Sequence, residues 1–190
     1  MATKVAIQYG VVTGPWVGKK FRRALTAAGY RHVEDIAEAD IIITHSAGCF
    51  WLPPSDQPLL LINPLYWPGK TIRQRVKDRA RSHRHYRQNG YPLGYWLGRT
   101  WWGVYYGIVD YRRTRKIMNY AEQFDLPQAI AAIAGRRVVI VRNDKDDWLT
   151  PDLDSLRAAN PKLSIISVPG DHDNCWYNPE PYIAAIRSLV

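Results

Sequence analysis

Cysteine is scarce in this chain. Cys49 and Cys175 are its two thiols, too few for a disulfide framework and far apart in sequence, so free thiols in a reducing compartment are expected. No Cys/His spacing of the structural zinc type occurs. Long apolar runs are missing too: nothing approaches the ~18 residues that a membrane span requires. Met1-Ala2-Thr3-Lys4 leads straight into an apolar strand without a signal-peptide pattern. These absences argue against a disulfide-stapled secreted scaffold and a membrane-spanning one. They predict a soluble cytoplasmic protein with no stable membrane insertion.

Acidic residues are also in deficit, 17 against 26 Lys and Arg, for a net charge of +9. The deficit is local. Between Lys70 and Lys116 there are 13 basic residues against Asp78 and Asp110, together with nine aromatic side chains; the remainder holds 13 basic and 15 acidic residues. An anionic partner, where the charge implies one, belongs to that stretch. At 190 residues the chain has the size of one domain, so we expect a single domain over 1–190 with residues 70–116 inserted as a basic, aromatic-rich helical cap.

The rest reads as alternating strands and helices. Lys4 to Gly10 is an apolar strand closing on a glycine, and Trp16 to Ala28 has Val17, Phe21, Leu25 and Ala28 at helical spacing before Gly29 stops it. His32 to Ile36 fits a short strand. Ile41 to Thr44, Leu59 to Pro64, Arg137 to Arg142 and Leu163 to Val168 read as strands of the buried type, with helices predicted over 128–134, 152–159 and 182–189. This alternation predicts an α/β fold with a mainly parallel sheet of about five or six strands and helices on both faces.

The chemistry gathers at three strand ends. The run Ile41-Ile42-Ile43-Thr44-His45 stops at Ser46, followed by Ala47 and Gly48, small enough for a turn that pushes a serine oxygen out of the backbone. The Val138 strand opens into Asn143-Asp144-Lys145-Asp146-Asp147, and the last strand into Pro169-Gly170-Asp171-His172-Asp173. A serine needs a neutral imidazole to accept its proton, and the imidazole needs a carboxylate to fix its tautomer. In an open parallel sheet such groups meet beyond the carboxyl ends of the strands.

Thr44-His45-Ser46-Ala47-Gly48 approximates the G-x-S-x-G elbow with Thr44 in place of the first glycine, and serine, aspartate and histidine follow in that order. On these motifs, and on Asp147-Trp148-Leu149-Thr150-Pro151 and Gly170-Asp171-His172-Asp173, the chain outside the insertion resembles the α/β-hydrolases. It is most similar to compact serine hydrolases of the type of retinoblastoma-binding protein 9 and the YdeN-like proteins. The resemblance implies a catalytic Ser46, Asp147 and His172, selecting Asp147 over Asp144 and Asp146 by its offset from Pro151. It also implies an oxyanion hole from the backbone N–H of Ala47 and one near Val11, and a small-molecule acyl substrate, with no metal or organic cofactor.

Other polar residues have plainer readings. Asp144 and Asp146 read as solvated turn carboxylates, His45 as a strand-end residue, and Cys49 as a small buried apolar group. Cys175 competes as nucleophile only if Ser46 points elsewhere. Asp171 and Asp173 either form the turn or orient His172. The cap keeps three readings: a lid in which Trp96, Trp101, Trp102 and Tyr105 line an acyl pocket; a basic and aromatic surface for an anionic substrate, nucleic acid or anionic lipid; or a helix packed on the core. A non-catalytic binding protein on a hydrolase scaffold is the alternative function, and oligomeric state is left open.

Overall fold

In the computed structural model, residues 2–10, 18–66, 111–146 and 153–190 are described, with isolated positions 74, 97, 101, 104, 105, 108 and 109, and the backbone alone at 113, 114 and 118. Two compact units emerge, Met1–Tyr66 with Asp125–Val190, and Trp67–Phe124. The second therefore runs from three residues before the basic stretch to eight beyond it. Within it, α2 covers Tyr111–Gln123, and Leu97, Trp101, Val104, Tyr105 and Ile108 are helical.

The first unit is built on one six-stranded sheet. Its strands are β1 (Lys4–Gln8), β2 (Arg31–Val33), β3 (Ile41–His45), β4 (Leu59–Ile62), β5 (Val138–Asn143) and β6 (Leu163–Val168), in the order β2-β1-β3-β4-β5-β6. Every neighbouring pair is parallel. The apolar runs make the central strands because a parallel sheet covered on both faces leaves no side for a polar residue. β3 and β4 are buried at every position.

Alternation along the strands separates the two faces. Val5, Ile41, Ile43, Leu60, Ile62, Val139 and Val141 form one core cluster with Phe21 and Leu25 of α1 (Lys19–Ala27) and with Tyr182, Ile183 and Ile186 of α5 (Glu180–Arg187). The intervening residues Ala6, Ile42, Leu59, Leu61, Val138 and Ile140 are buried too. α3 (Leu126–Ala131) and α4 (Leu153–Ala159) bury Leu126, Ile130 and Leu156 outside that cluster.

Local chemistry sets the element ends. α1 stops where Gly29 takes φ 88° and Tyr30 N–H returns to Leu25 O at 3.0 Å. Asp125 caps α3 by accepting from Gln128 N–H at 3.1 Å. No full helix fits between β2 and β3; a single 3₁₀ turn, Ile36–Glu38, spans the gap. Another, Ser46–Trp51, follows β3 and ends before Pro53 and Pro54. No helix among the described residues is long and apolar enough to cross a membrane.

The strand order reverses between β1 and β3. β1 connects outward to β2, while β3 begins the run to β6 on the other side. In such a sheet the carboxyl ends at the reversal leave a crevice for a ligand. Ser46 stands there.

Candidate active site

Ser46 follows the last residue of β3 and takes φ 57°, a left-handed conformation that a residue with a Cβ seldom adopts. The turn forms because its neighbours are small. A Cβ on Gly48 would lie 2.5 Å from Gln8 O, and one on Gly10 would lie 3.0 Å from Ser46 Cβ and 3.3 Å from Ala47 N. The loop after β1 thus passes against the elbow with hydrogen atoms where side chains would collide. Thr44, in place of the first elbow glycine, is fully buried on β3 and leaves the turn intact.

The serine meets a histidine from the far side of the sheet. His172 Nε2 lies 2.9 Å from Ser46 Oγ. Its Nδ1 lies 3.0 and 3.1 Å from the two carboxylate oxygens of Asp146. With Nδ1–H donating to the carboxylate, Nε2 carries the lone pair that accepts the serine proton. His172 and Asp146 are both buried, which removes competing water from the pair.

The carboxylate at His172 Nδ1 is that of Asp146, the residue before the one the motif points to. Asp147 lies outside the described residues; the Nδ1–H of His172 already faces both oxygens of Asp146, which is a buried ligand of the ring rather than a solvated turn carboxylate. Asp144 instead ties two loops together, accepting from Gly170 N–H at 2.8 Å while Lys145 N–H donates to Gly170 O at 3.0 Å.

Several supporting residues were not evident in the sequence. The backbone carbonyl of His172 accepts from Asn63 Nδ2 at 2.7 Å and from His45 Nε2 at 3.0 Å. Asn63 follows β4 with φ 46°, and its Oδ1 accepts from Asn143 N–H at 2.9 Å. Trp176, in the 3₁₀ turn Asn174–Trp176, anchors the His172 loop from beneath. Its ring is 4.7 Å from His45, 5.7 Å from Phe21 and 5.7 Å from Tyr9. Tyr182 of α5 holds Asn143 through OH contacts of 2.6 and 2.8 Å. An asparagine after a strand and an aromatic after a loop carry no sequence signal that separates them from turn and core residues.

Burial sets the charge states around the pair. It pushes His45 down to about 4, with the neighbouring His172 acting in the same direction, so His45 is neutral with its proton on Nε2. Burial pushes Cys49 up to about 12 and Cys175 well above the usual thiol range, the latter helped by Asp173 and Asp171. Both thiols are buried and lack the thiolate character a nucleophile needs. Asp171 Oδ1 accepts from Asp173 N–H at 3.1 Å, which shapes the loop behind His172.

One group among the described residues has metal-type donors, His45, His172 and Asp173, with ligand atoms within 4.8 Å of one another. Both nitrogens of His172 already face Ser46 and Asp146, so an ion there would break the array.

Of the remaining expected residues, Ala47 is buried at the second position of its 3₁₀ turn, where the first N–H groups have no partner within the turn. Val11, Trp96 and Trp102 lie outside the described residues. Trp101 and Tyr105 belong to the second unit and are 67% and 39% exposed.

No protein-family model matches the chain. No curated protein matches it in sequence. Solved structures do match in shape. The N-formylmaleamic acid deformylase of Pseudomonas putida S16 aligns with TM-score 0.69 at 13% identity, over 98% of this chain and 92% of the other. The enol-lactonase of Burkholderia xenovorans LB400 gives 0.60 at 13% identity, over 100% and 91%. A structure from work on carboxylesterases of Nitrososphaera gargenis gives 0.64 at 11% identity, over 99% and 89%. With its six parallel strands, its switch-point serine and these neighbours, the chain has the α/β-hydrolase fold.

Proposed function

We propose that the protein is a serine hydrolase of esterase type, acting on a small-molecule acyl substrate through Ser46, His172 and Asp146. The observation that carries this reading is the 2.9 Å approach of Ser46 Oγ, raised on a left-handed turn, to His172 Nε2. His172 takes the Ser46 proton as Oγ bonds to the acyl carbon, and Asp146 stabilises the imidazolium through Nδ1–H. The carbonyl electron pair moves to oxygen, where the N–H of Ala47 and one from the loop after β1, at Val11, receive it. As the carbonyl re-forms, the leaving alkoxide departs with the proton from Nε2. Water then attacks the acyl-serine, gives its proton to His172 and releases the acid; the proton returns to Ser46 Oγ.

Support comes from several sides. The structural neighbours include a deformylase, an enol-lactonase and a structure from work on carboxylesterases. Order and motifs resemble the compact serine hydrolases of the retinoblastoma-binding protein 9 and YdeN type. The two buried free thiols suit a reducing, cytoplasmic setting. The net charge of +9 favours the approach of substrates bearing a carboxylate or phosphate. A panel of p-nitrophenyl esters, with and without a terminal carboxylate on the acyl chain, tests the reading. Turnover that disappears in Ser46→Ala is expected; no turnover of any member above buffer would contradict it.

A further inference from the structure

The imidazole of His172 must hold two distances at once, to Ser46 just after β3 and to Asp146 beyond β5, yet it sits on a loop beyond β6. Contacts to its ring cannot fix that loop, because the same contacts have to loosen and tighten as the proton moves. The backbone of the residue offers a separate handle. Its carbonyl accepts two N–H groups, from Asn63 Nδ2 at 2.7 Å and from His45 Nε2 at 3.0 Å.

These donors are themselves well fixed. Asn63 and His45 are buried, and His45 is the residue immediately before the nucleophile. Asn63 stands after β4, the strand between those that carry the nucleophile and the acid. Its amide faces both ways: Nδ2–H donates to His172 O, and Oδ1 accepts from Asn143 N–H at 2.9 Å, three residues before Asp146. Asp146 N–H in turn donates to Asn143 O at 3.1 Å. Asparagine is among the few side-chain-bearing residues that tolerate the φ of 46° found here.

We propose that Asn63 and His45 form a two-donor clamp on the His172 carbonyl and act as positioning residues for the hydrolysis. Asn63 sets the spacing between the acid loop and the histidine loop, and His45 sets the spacing between histidine and nucleophile. Neither touches the reacting atoms. The ring of His45 is a donor rather than a second base, since its Nε2–H is directed at a carbonyl and its Nδ1 has no hydrogen-bond partner among the described residues.

The inference rests on the hydrolase reading, and its test separates the two. With wild-type turnover of a p-nitrophenyl ester as reference, His45→Leu and Asn63→Gly remove one donor each; glycine accepts the left-handed backbone at 63. Loss of such an outer contact lowers kcat by about 10- to 100-fold with KM within about twofold. His45→Gln, whose amide N–H can reach the same carbonyl, keeps kcat within about threefold of wild type. If His45→Leu fails to fold, the comparison of Asn63→Gly with wild type and of His45→Gln with His45→Asn, too short to reach, decides the matter. Unchanged kcat in folded Asn63→Gly and His45→Leu, or equal losses in His45→Gln and His45→Leu, overturns the clamp while leaving the serine mechanism standing. An inactive wild type overturns the hydrolase reading itself, and the clamp with it.

Discussion

His172 presents Nδ1 to both carboxylate oxygens of Asp146, at 3.0 and 3.1 Å, with the Asp146 side chain fully shielded from water. A carboxylate so placed holds the imidazole in the tautomer whose Nε2 can accept the serine proton. Replacing it by an amide removes the charge and permits the wrong tautomer. Asp146→Asn is therefore expected to lower kcat by about three to four powers of ten, whereas Asp147→Asn stays within about threefold of wild type. Steady-state ester hydrolysis by the two variants checks this, and the reverse ranking would return the role to Asp147.

Burial of His45 gives the fold a pH dependence of definite sign. Its pKa falls from 6.5 to about 4 on folding, so between those values the unfolded chain binds the extra proton. Stability then rises with pH across that window and is lost as pH falls through it, by on the order of 3 kcal/mol for the complete shift. Urea unfolding of wild type and His45→Gln at pH 4.5, 5.5 and 6.5 (about the span of the shift) is expected to show a steeper loss in wild type. Parallel curves would mean that His45 titrates alike in both states.

The elbow also depends on what is missing at residue 48. An alanine there would set its Cβ 2.5 Å from the backbone carbonyl of Gln8, a neighbour in the sheet that cannot swing aside. Gly48→Ala is expected to destabilise by about 1–3 kcal/mol and to lower Tm and kcat together, because the turn carrying Ser46 has to move. A thermal melt with an activity assay reads both; an unaltered Tm would show that the β1 end yields easily.

Much of the scaffold was legible in the sequence because a parallel sheet writes itself as short apolar runs. Ile41–His45, Val138–Asn143 and Leu163–Val168 were recognisable within a residue at either end, whereas the strand read over Leu59 to Pro64 stops at Ile62, where Asn63 turns into a left-handed conformation. Ser46 and His172, whose side chains lie 2.9 Å apart, stood out in the sequence because small residues and turn formers isolate them at strand ends. The carboxylate partner of His172 did not, since three aspartates lie within four positions; only the fold shows that Asp146 turns inward. Asn63 and His45 were hidden for another reason. Their role is to donate to a backbone carbonyl more than a hundred residues away, and no local pattern encodes that. Charge marks 70–116 in the sequence, whereas the second compact unit runs over Trp67–Phe124, the weakly charged end of α2 included.

The central claim is that Ser46 is an activated nucleophile. A fluorophosphonate probe reports this directly, since it forms a covalent bond to a serine oxygen whose proton a neighbouring base removes, with loss of fluoride. Incubation of native protein followed by peptide mass spectrometry is expected to place one adduct on Ser46, with labelling abolished in Ser46→Ala and in heat-unfolded protein and slowed at least about 100-fold in His172→Ala. Native, folded protein that takes up no probe at Ser46, or takes it up equally well without His172, would contradict it.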